Sequence, residues 1–432
     1  MSRHRQARDS DQTLDTFDAD RSNDVLPGYS LWAVERVFDG IKRTDTPPAK
    51  HGESNFAFLN RVAGPFWDRT RATVEAWFSR FPVSEQRTDL LARLREDDDR
   101  QFDAAFWELY LHESLLREGF TLTPHPELTW TTSHPDFLVE GYDAGFYLEA
   151  TVTGGPASQT ASERRLNTIY DALDRLDSPN FILWLRVDEE GKASPSTRRL
   201  RQVLARWLSG LDPDEVAALH RADGRRPLPE YDWEAQGWRI VFTAFPKKEE
   251  ARGKTGGRAV GAWGPGRAFY VDDIGQVRRD LEDKSGKYGT PDLPLVIAVA
   301  VESSFYEGRY TMSCALFGSE AVRFDPATQA AQRMRRPDGL WQGPNGRPRN
   351  TRVAAVIAAR KPQPWNVTEP EPVTWLNPWA MHPLPLVLPW ESVALAIDLS
   401  EGRFVTTEAK RRAHEVLGLP EGWPRPEDVL GE

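Results

Sequence analysis

The spacing of apolar and polar residues changes along the chain and predicts helices first, then alternating helices and strands. Apolar residues recur at helical spacing in 29–97 and in 102–119, where Gly119 favours a helix end. Three segments then alternate apolar and polar residues at the strand period of two: 120–130, 134–141 and 145–153. A helix near 158–176 and an apolar run of strand length at 181–187 give the order α-β-β-β-α-β.

The same alternation continues further along the chain. We expect helices at 196–209 and 273–287 and strands at 238–245 and 293–301, which extend the sheet or build a second lobe. The region from 362 on is rich in Pro and Trp, and we expect it to pack over the core as irregular structure. The predicted fold class is therefore α/β: a mixed sheet flanked by helices, with a helical N-terminal region and an elaborated C-terminal region.

These changes divide the chain into five regions. The first is polar and acidic with almost no large apolar residue, which is typical of disorder. The regions are a disordered tail (1–25), a helical N-terminal region (26–100), a core α/β region (101–190), an α/β extension of that core (191–330), and a basic loop with the Pro/Trp-rich C-terminal region (331–432).

Composition narrows the kinds of protein that the chain can be. Of the 432 residues, 39% are hydrophobic and 28% are charged, and the net charge of -10 argues against a generally basic nucleic-acid coat. The only cysteine, Cys314, excludes an internal disulfide and a thiolate zinc site, and we interpret it as a small buried residue in a strand. Since no run of about eighteen apolar residues and no apolar signal segment is present, we expect a cytoplasmic protein without a membrane partner.

The segment 134–153 reads as a β-hairpin whose register can be predicted. A turn centred on Tyr142 and Asp143 sets Asp136 opposite Glu149. In that register the large apolar residues share one face of the hairpin, and the two acids share the other with Thr151. Opposed residues have Cβ atoms roughly 4.5–5.5 Å apart, so two carboxylates there repel each other unless a cation neutralises them.

A divalent cation is the simplest neutralising partner for this pair of acids. Carboxylate oxygens suit Mg²⁺ or Mn²⁺, which keep several waters and accept substrate phosphate. Glu108 lies among apolar residues of the preceding helix and offers a third carboxylate. The sequence therefore predicts a metal site made by Glu108, Asp136 and Glu149.

These residues resemble a known superfamily. The Pro-Asp pair ending at Asp136, the strand-borne Glu-Ala-Thr beginning at Glu149, the upstream Glu108 and the α-β-β-β-α-β order are similar to the PD-(D/E)xK nucleases, over roughly residues 100–190. The resemblance implies a restriction-endonuclease-like fold in which Asp136 and Glu149 bind the metal and Glu108 assists.

The chain departs from the family pattern at one position. Thr151 stands where the family has a lysine that orients or activates the attacking water, and no lysine lies between Lys50 and Lys192. A threonine hydroxyl can orient a water but supplies no cation. Lys284 and Lys287 are candidates to replace the missing lysine, and we assign that role to Lys287, although a lysine near a helix end can simply offset the helix dipole.

Plainer interpretations of the same residues remain open. The hairpin can be an exposed one that carries its acids on a wet face, and Glu108 can be an exposed helix residue paired with His112. His134 is more simply a polar residue at a strand edge than a metal ligand.

Two basic segments, 333–361 and 247–267, are candidate nucleic-acid contacts. Solvated loops are the alternative interpretation of both. The contact residues that we predict are Arg335, Arg336, Arg347, Arg349, Lys254 and Arg258.

The sequence thus predicts a nuclease that uses Mg²⁺ or Mn²⁺ to hydrolyse DNA, with RNA as a further candidate substrate. A homodimer or a partner protein is an additional expectation, and a role in restriction or anti-phage defence follows from the resemblance alone. The alternative function is a catalytically inactive protein of the same fold that binds nucleic acid or scaffolds a partner complex. A third is an interaction protein unrelated to nucleic acid.

Overall fold

The computed structural model describes residues 35–154, 161–223, 228–254, 259, 272–303, 306–325, 330–343, 347–395 and 404–425. Its helices are α1 (Asn55–Arg61), α2 (Pro65–Arg80), α3 (Glu85–Leu94), α4 (Asp99–Arg117), α5 (Ala161–Asp174), α6 (Thr197–Ser209), α7 (Pro213–Asp223), α8 (Asp273–Ser285), α9 (Arg309–Phe317) and α10 (Ala413–Val416). Its strands are β1 (Thr121–Pro124), β2 (Phe137–Gly141), β3 (Ala144–Gly154), β4 (Phe181–Glu189), β5 (Glu230–Ala235), β6 (Trp238–Pro246), β7 (Leu295–Glu302), β8 (Glu320–Asp325), β9 (Ala330–Arg335), β10 (Val353–Arg360), β11 (Val373–Leu376), β12 (Glu391–Leu395) and β13 (Phe404–Thr407). The predicted disordered tail, 1–25, lies outside these residues.

A mixed sheet of eight strands organises the fold, in the order β1-β2-β3-β7-β10-β11-β12-β13. The strands β1, β2 and β3 are antiparallel neighbours, whereas β7 runs parallel to both β3 and β10. Both β7 and β10 are almost continuously apolar and buried, as expected for strands that are covered on both faces. The mixed α/β architecture with helix-flanked sheet agrees with the predicted class.

Helices cover both faces of this sheet. One face packs against α2, α3 and α4 in a core that includes Trp107, Phe137 and Leu148. The opposite face packs against α8 and α9 in a second core that includes Leu281, Ile297 and Phe317. No helix in the described part of the chain combines the length and the apolar character needed to span a bilayer.

A smaller sheet is inserted between β3 and α8. It has the order β4-β6-β5, and its strands are antiparallel. Helices α5 and α6 contribute Leu173, Leu200 and Leu204 to its own hydrophobic core. The apolar run at 181–187 is a strand, as predicted, but it lies outside the main sheet because β4 pairs with β6 and not with β3. The strand that pairs in parallel with β3 is β7, and α8 directly precedes it in the chain.

Three further expectations are corrected by the structure. Cys314 is buried as predicted but lies in α9, a helix, and not in a strand. The basic segment 333–361 is only partly a loop, since its end forms the buried strand β10. The region from 362 on adds β11, β12 and β13 to the main sheet, so it is less irregular than expected.

Candidate functional site

The hairpin of β2 and β3 has the predicted register. Phe137 pairs with Leu148 and Gly141 with Ala144, and the turn residues Tyr142 and Asp143 have φ angles of 53° and 61°. Asp136 directly precedes β2, and its Oδ2 atom accepts a hydrogen bond of 2.6 Å from the backbone N–H of Ala150. The Asp136 carboxylate is thereby tied to the residue that follows Glu149.

Glu149 lies in the middle of β3 and is 1% exposed. Its Oε1 atom is 2.6 Å from the ammonium nitrogen of Lys284 and 3.2 Å from that of Lys287. The hydroxyl of Tyr288 donates a hydrogen bond to the other carboxylate oxygen, Oε2. All three donors come from the C-terminal end of α8 or directly follow it, so this helix end neutralises a charge buried in the sheet.

The face of β3 that carries Glu149 is therefore not a wet face. It lies beneath α8, and a second contact joins Thr153 of β3 to Asp280 of α8. Thr151 lies on the same face between these contacts and is only partly buried. The alternative of a solvent-exposed acidic hairpin is wrong, because Glu149 is fully covered and paired.

Asp136 experiences several charges of its own sign. Burial, and then the negative charges of Glu108 and Glu149, raise the pKa of Asp136 well above its usual range. The N–H of Ala150 and the charge of Lys284 oppose that rise. A carboxyl group in this setting binds either a proton or a cation more readily than an exposed one does.

Glu108 is held by a different cation. It is 8% exposed, and its two carboxylate oxygens each lie 2.7 Å from a guanidinium nitrogen of Arg93 in α3. Burial alone would lower the pKa of Arg93, but the hydrogen bonds and charge of Glu108 raise it above its usual range. The alternative that Glu108 is an exposed residue paired with His112 is wrong, since its partner is Arg93.

His125 borders the same acids. Its Nε2 atom lies 3.8 Å from Oδ1 of Asp136, and its backbone has a φ of 43°, a conformation that is uncommon for residues other than glycine. His134 is exposed, and its Nδ1 atom is 3.0 Å from the carbonyl oxygen of Pro126, which agrees with its interpretation as a polar residue at the strand edge.

The acids fit a divalent cation in part. Within the described residues, no group of three or more His, Cys, Asp or Glu side chains is arranged to hold a metal ion. Glu108 is paired with Arg93, and Glu149 is paired with Lys284 and Lys287, so Asp136 is the one of the three acids without a lysine or arginine partner among the described residues. Mg²⁺ usually takes one or two protein carboxylates together with waters and substrate phosphate. Asp136 fits such an ion, whereas Glu149 would fit it only after the two lysines leave its Oε1 atom.

The residues predicted to contact nucleic acid differ in their exposure and in their partners. Arg335 is largely buried and donates to the carbonyl oxygens of Ser313 and Gly318 at 3.1 and 2.9 Å, which gives it a structural role. Arg349 is exposed and lies 3.4 Å from Glu282 of α8, the helix that carries Lys284. The remaining described candidates, Arg336, Arg347 and Lys254, are exposed, and Arg258 lies outside the described residues.

Sequence reasoning missed three residues of this site: Tyr288, Arg93 and His125. A signal existed for Tyr288, because it directly follows Lys287 and precedes the strand that pairs with β3. The pairing of Arg93 with Glu108 depends on how two helices pack, which the sequence does not encode locally. The position of His125 near Asp136 depends likewise on the pairing of β1 with β2.

Comparisons of this chain with protein-family models, with curated proteins and with solved structures find no match. The resemblance to the PD-(D/E)xK superfamily stays a prediction that depends on the residues described above.

Proposed function

We propose that the chain is a metal-dependent nuclease that hydrolyses DNA phosphodiester bonds on a restriction-endonuclease-like fold. The observation that carries this proposal is the contact of Lys284 and Lys287 with the buried carboxylate of Glu149, beside Asp136. The chain lacks a lysine at Thr151, and Lys284 at the end of α8 and Lys287 just after it supply two ammonium groups to the same face of β3. The one departure from the family pattern is thus compensated from another element.

Each residue of the candidate site has a separate role in the proposed reaction. Asp136 and Glu149 would hold the cation, and Mg²⁺ or Mn²⁺ bound there would polarise the phosphate and lower the pKa of a coordinated water. Lys287, whose side chain is 43% exposed, is the residue that we assign to orient the attacking water. In the hydrolysis, the water oxygen bonds to phosphorus and the bond to the leaving sugar oxygen breaks. The water proton passes to solvent, and the leaving oxygen takes up a proton.

Positive charge near the site favours a polyanionic substrate. The net charge of the chain is -10, so DNA needs a local attraction to approach. Lys287 is partly exposed, and Arg349 is exposed beside α8, where both can contact phosphates.

The test is a cleavage assay with the purified full chain on supercoiled plasmid, single-stranded DNA and RNA, with Mg²⁺, Mn²⁺ or EDTA. We expect metal-dependent nicking that Asp136→Asn and Glu149→Gln each reduce by at least about 100-fold. Lys287→Met should reduce the rate by about 10- to 100-fold. The matched control is Asp143→Asn, which makes the same charge change at the exposed hairpin turn and should leave cleavage unchanged. Cleavage that persists in Asp136→Asn and Glu149→Gln would refute the proposed site.

A second candidate function is supported by the ion pairs themselves. Lys284, Lys287 and Arg93 already neutralise two of the three acids, which is compatible with a protein of this fold that binds nucleic acid or scaffolds a complex without turnover. Salt-sensitive DNA binding without any metal-dependent nicking in the same assay would favour this alternative.

A further inference from the structure

Helix α6, which packs on the smaller sheet, carries a concentration of positive charge. The segment 191–211 contains this helix and has five basic residues but no Asp or Glu. The basic residues are Lys192, Arg198, Arg199, Arg201 and Arg206. Since the whole chain has a net charge of -10, this segment is a local exception that favours contact with an anionic partner.

The two faces of α6 differ in character. Leucines at every fourth position, from Leu200 to Leu208, are buried in the core of the smaller sheet. Arg198, Arg199 and Arg206 are exposed, and we call these three residues the arginine face of α6. A helix that binds a membrane surface must place its apolar face in the bilayer. Because the leucines of α6 already pack against the protein, this helix does not fit a membrane.

The arginine face has no acidic partner among the described residues, and its guanidinium groups donate no hydrogen bond to them. The acids that flank α6 in the sequence are engaged elsewhere. Before the helix, Glu190 pairs with Arg165 at 2.9 Å. After it, Asp212 accepts hydrogen bonds of 2.8 and 3.2 Å from backbone N–H groups in the first turn of α7, and Asp214 pairs with Arg252. An external anion can therefore bind the arginine face without breaking an internal ion pair.

The arginine face matches the dimensions of a nucleic-acid backbone. Arg198 and Arg206 are eight residues apart, which corresponds to about 12 Å along a helix that rises about 1.5 Å per residue. One strand of B-DNA rises about 3.4 Å per nucleotide, so the same distance spans about three to four phosphates. Guanidinium groups bind phosphate oxygens with two parallel hydrogen bonds, which makes arginine well suited to such contacts.

We propose that the arginine face of α6 is a docking surface for the phosphate backbone of double-stranded DNA. The choice of DNA as the polyanion rests on the proposed function, and the inference adds a surface that the candidate site does not contain. Phosphate contacts position a duplex without reading its bases, so docking at α6 is independent of DNA sequence. The inserted unit thus supplies the local attraction that a chain of negative net charge needs.

The experiment measures the binding of the full chain to a fluorescent DNA duplex by anisotropy, in EDTA and over a series of salt concentrations. The test variant combines Arg198→Gln, Arg199→Gln and Arg206→Gln. Each lost phosphate contact lowers the slope of log affinity against log salt by about 0.9, so we expect the slope to fall by about 2.7. At about 0.1 M salt the affinity should fall by about 100-fold or more. A second duplex of unrelated sequence should give the same result.

Two further variants separate this surface from a general effect of charge. The first makes the same change of net charge at three exposed arginines outside α6, each of which pairs with an acid, and should leave the salt slope unchanged: Arg36→Gln, Arg100→Gln and Arg412→Gln. The second keeps the positive charge of α6 and should keep the salt slope. It combines Arg198→Lys, Arg199→Lys and Arg206→Lys. Circular dichroism of every variant checks that the fold is retained, which we expect because all the altered side chains are exposed.

The outcomes distinguish this inference from the proposed function. Equal salt slopes in the unaltered chain and in the glutamine variant of α6 would overturn the inference, and metal-dependent nicking by the unaltered chain would still support the nuclease. A smaller slope in that variant, without any nicking by the unaltered chain, would support the docking surface and refute the nuclease. Binding of the unaltered chain to phosphatidylserine vesicles but not to the duplex would identify a membrane surface as the partner and overturn the inference.

Discussion

The buried histidine of α4, His112, allows its surroundings to be tested by measuring the stability of the protein at acid pH. His112 is 2% exposed, and its Nδ1 atom has no hydrogen-bond partner among the described residues. Its ring lies 4.8 and 6.0 Å from the rings of Phe81 and Phe137. Burial, opposed by the charge of Glu113, lowers the pKa of His112 from 6.5 to about 4. The unfolded chain therefore binds a proton at this residue more readily than the folded chain does.

The sign and size of the effect follow from these pKa values. Between the two values the unfolded state carries more protons, so the free energy of unfolding falls as the pH falls. From about pH 7.5 to about pH 5, this one residue lowers the free energy of unfolding by about 2 kcal/mol. His112→Phe removes the titration and fills the site with an apolar ring. Between about pH 7.5 and about pH 5, we expect the free energy of unfolding of His112→Phe to fall by about 2 kcal/mol less than that of the unaltered chain.

The assay is urea denaturation at both pH values, followed by circular dichroism, for the unaltered chain and His112→Phe. The control is His134→Phe, which makes the same substitution at an exposed histidine. Equal losses on acidification in the unaltered chain and in His112→Phe would refute the assignment of a buried neutral histidine.

Three other substitutions or reagents test separate parts of the fold. Gly318 has a φ of 99°, and a Cβ there would collide with the carbonyl oxygen just beyond β9. Gly318→Ala should lower the free energy of unfolding by about 2 kcal/mol or more. Gly253→Ala, at a φ of 72° and with no described atom within 4 Å of the added Cβ, should lower it by about 1 kcal/mol. The ammonium of Lys361 pairs with Asp103, whose side chain is 3% exposed, so Lys361→Met should destabilise the fold by about 3–5 kcal/mol in the same urea assay, and an unchanged midpoint would contradict a buried ion pair. Cys314 is fully buried, so Ellman's reagent should react with it only after urea unfolding, and rapid reaction of the native chain would show that α9 is misplaced.

The local pattern of apolar and polar residues predicts helices and strands well where residues that are close in sequence are also close in the fold. The turn at Tyr142 and Asp143 and the alternation on both strands were sufficient to define the register of the hairpin, because a shift by one residue would expose its apolar face. Helix α4 and strand β7 were equally readable from their periodicity and apolar run.

Pairing between distant segments could not be predicted in the same way. The apolar run at 181–187 suits a central strand, but nothing in it specifies that it pairs with β6 in a separate sheet. The basic residues around 333–361 obscured β10, whose alanines and valines are buried on both faces. In the C-terminal region, prolines flank the short strands β11 and β12 and hid their strand character.

In the candidate site, too, the sequence predicts the local features but not the contacts between distant segments. The sequence identified Asp136 and Glu149 as a pair, and it named Lys284 and Lys287 as the available lysines. It did not indicate that both lysines reach one oxygen of Glu149, because that contact requires α8 to lie across β3. It also missed the burial of the polar face of the hairpin, since the helix that covers it is more than a hundred residues away in the chain.

The long interval between β3 and α8 has a practical consequence for dissecting the protein. A fragment that ends before α8 would contain Glu149 in its apolar setting without Lys284, Lys287 or Tyr288, and thus without any of the three groups that donate to its oxygens. Segment 101–190, which reads as a self-contained unit in the sequence, is therefore not expected to fold when expressed alone. Truncations intended to isolate the core should retain the chain at least through β7, the strand beside β3.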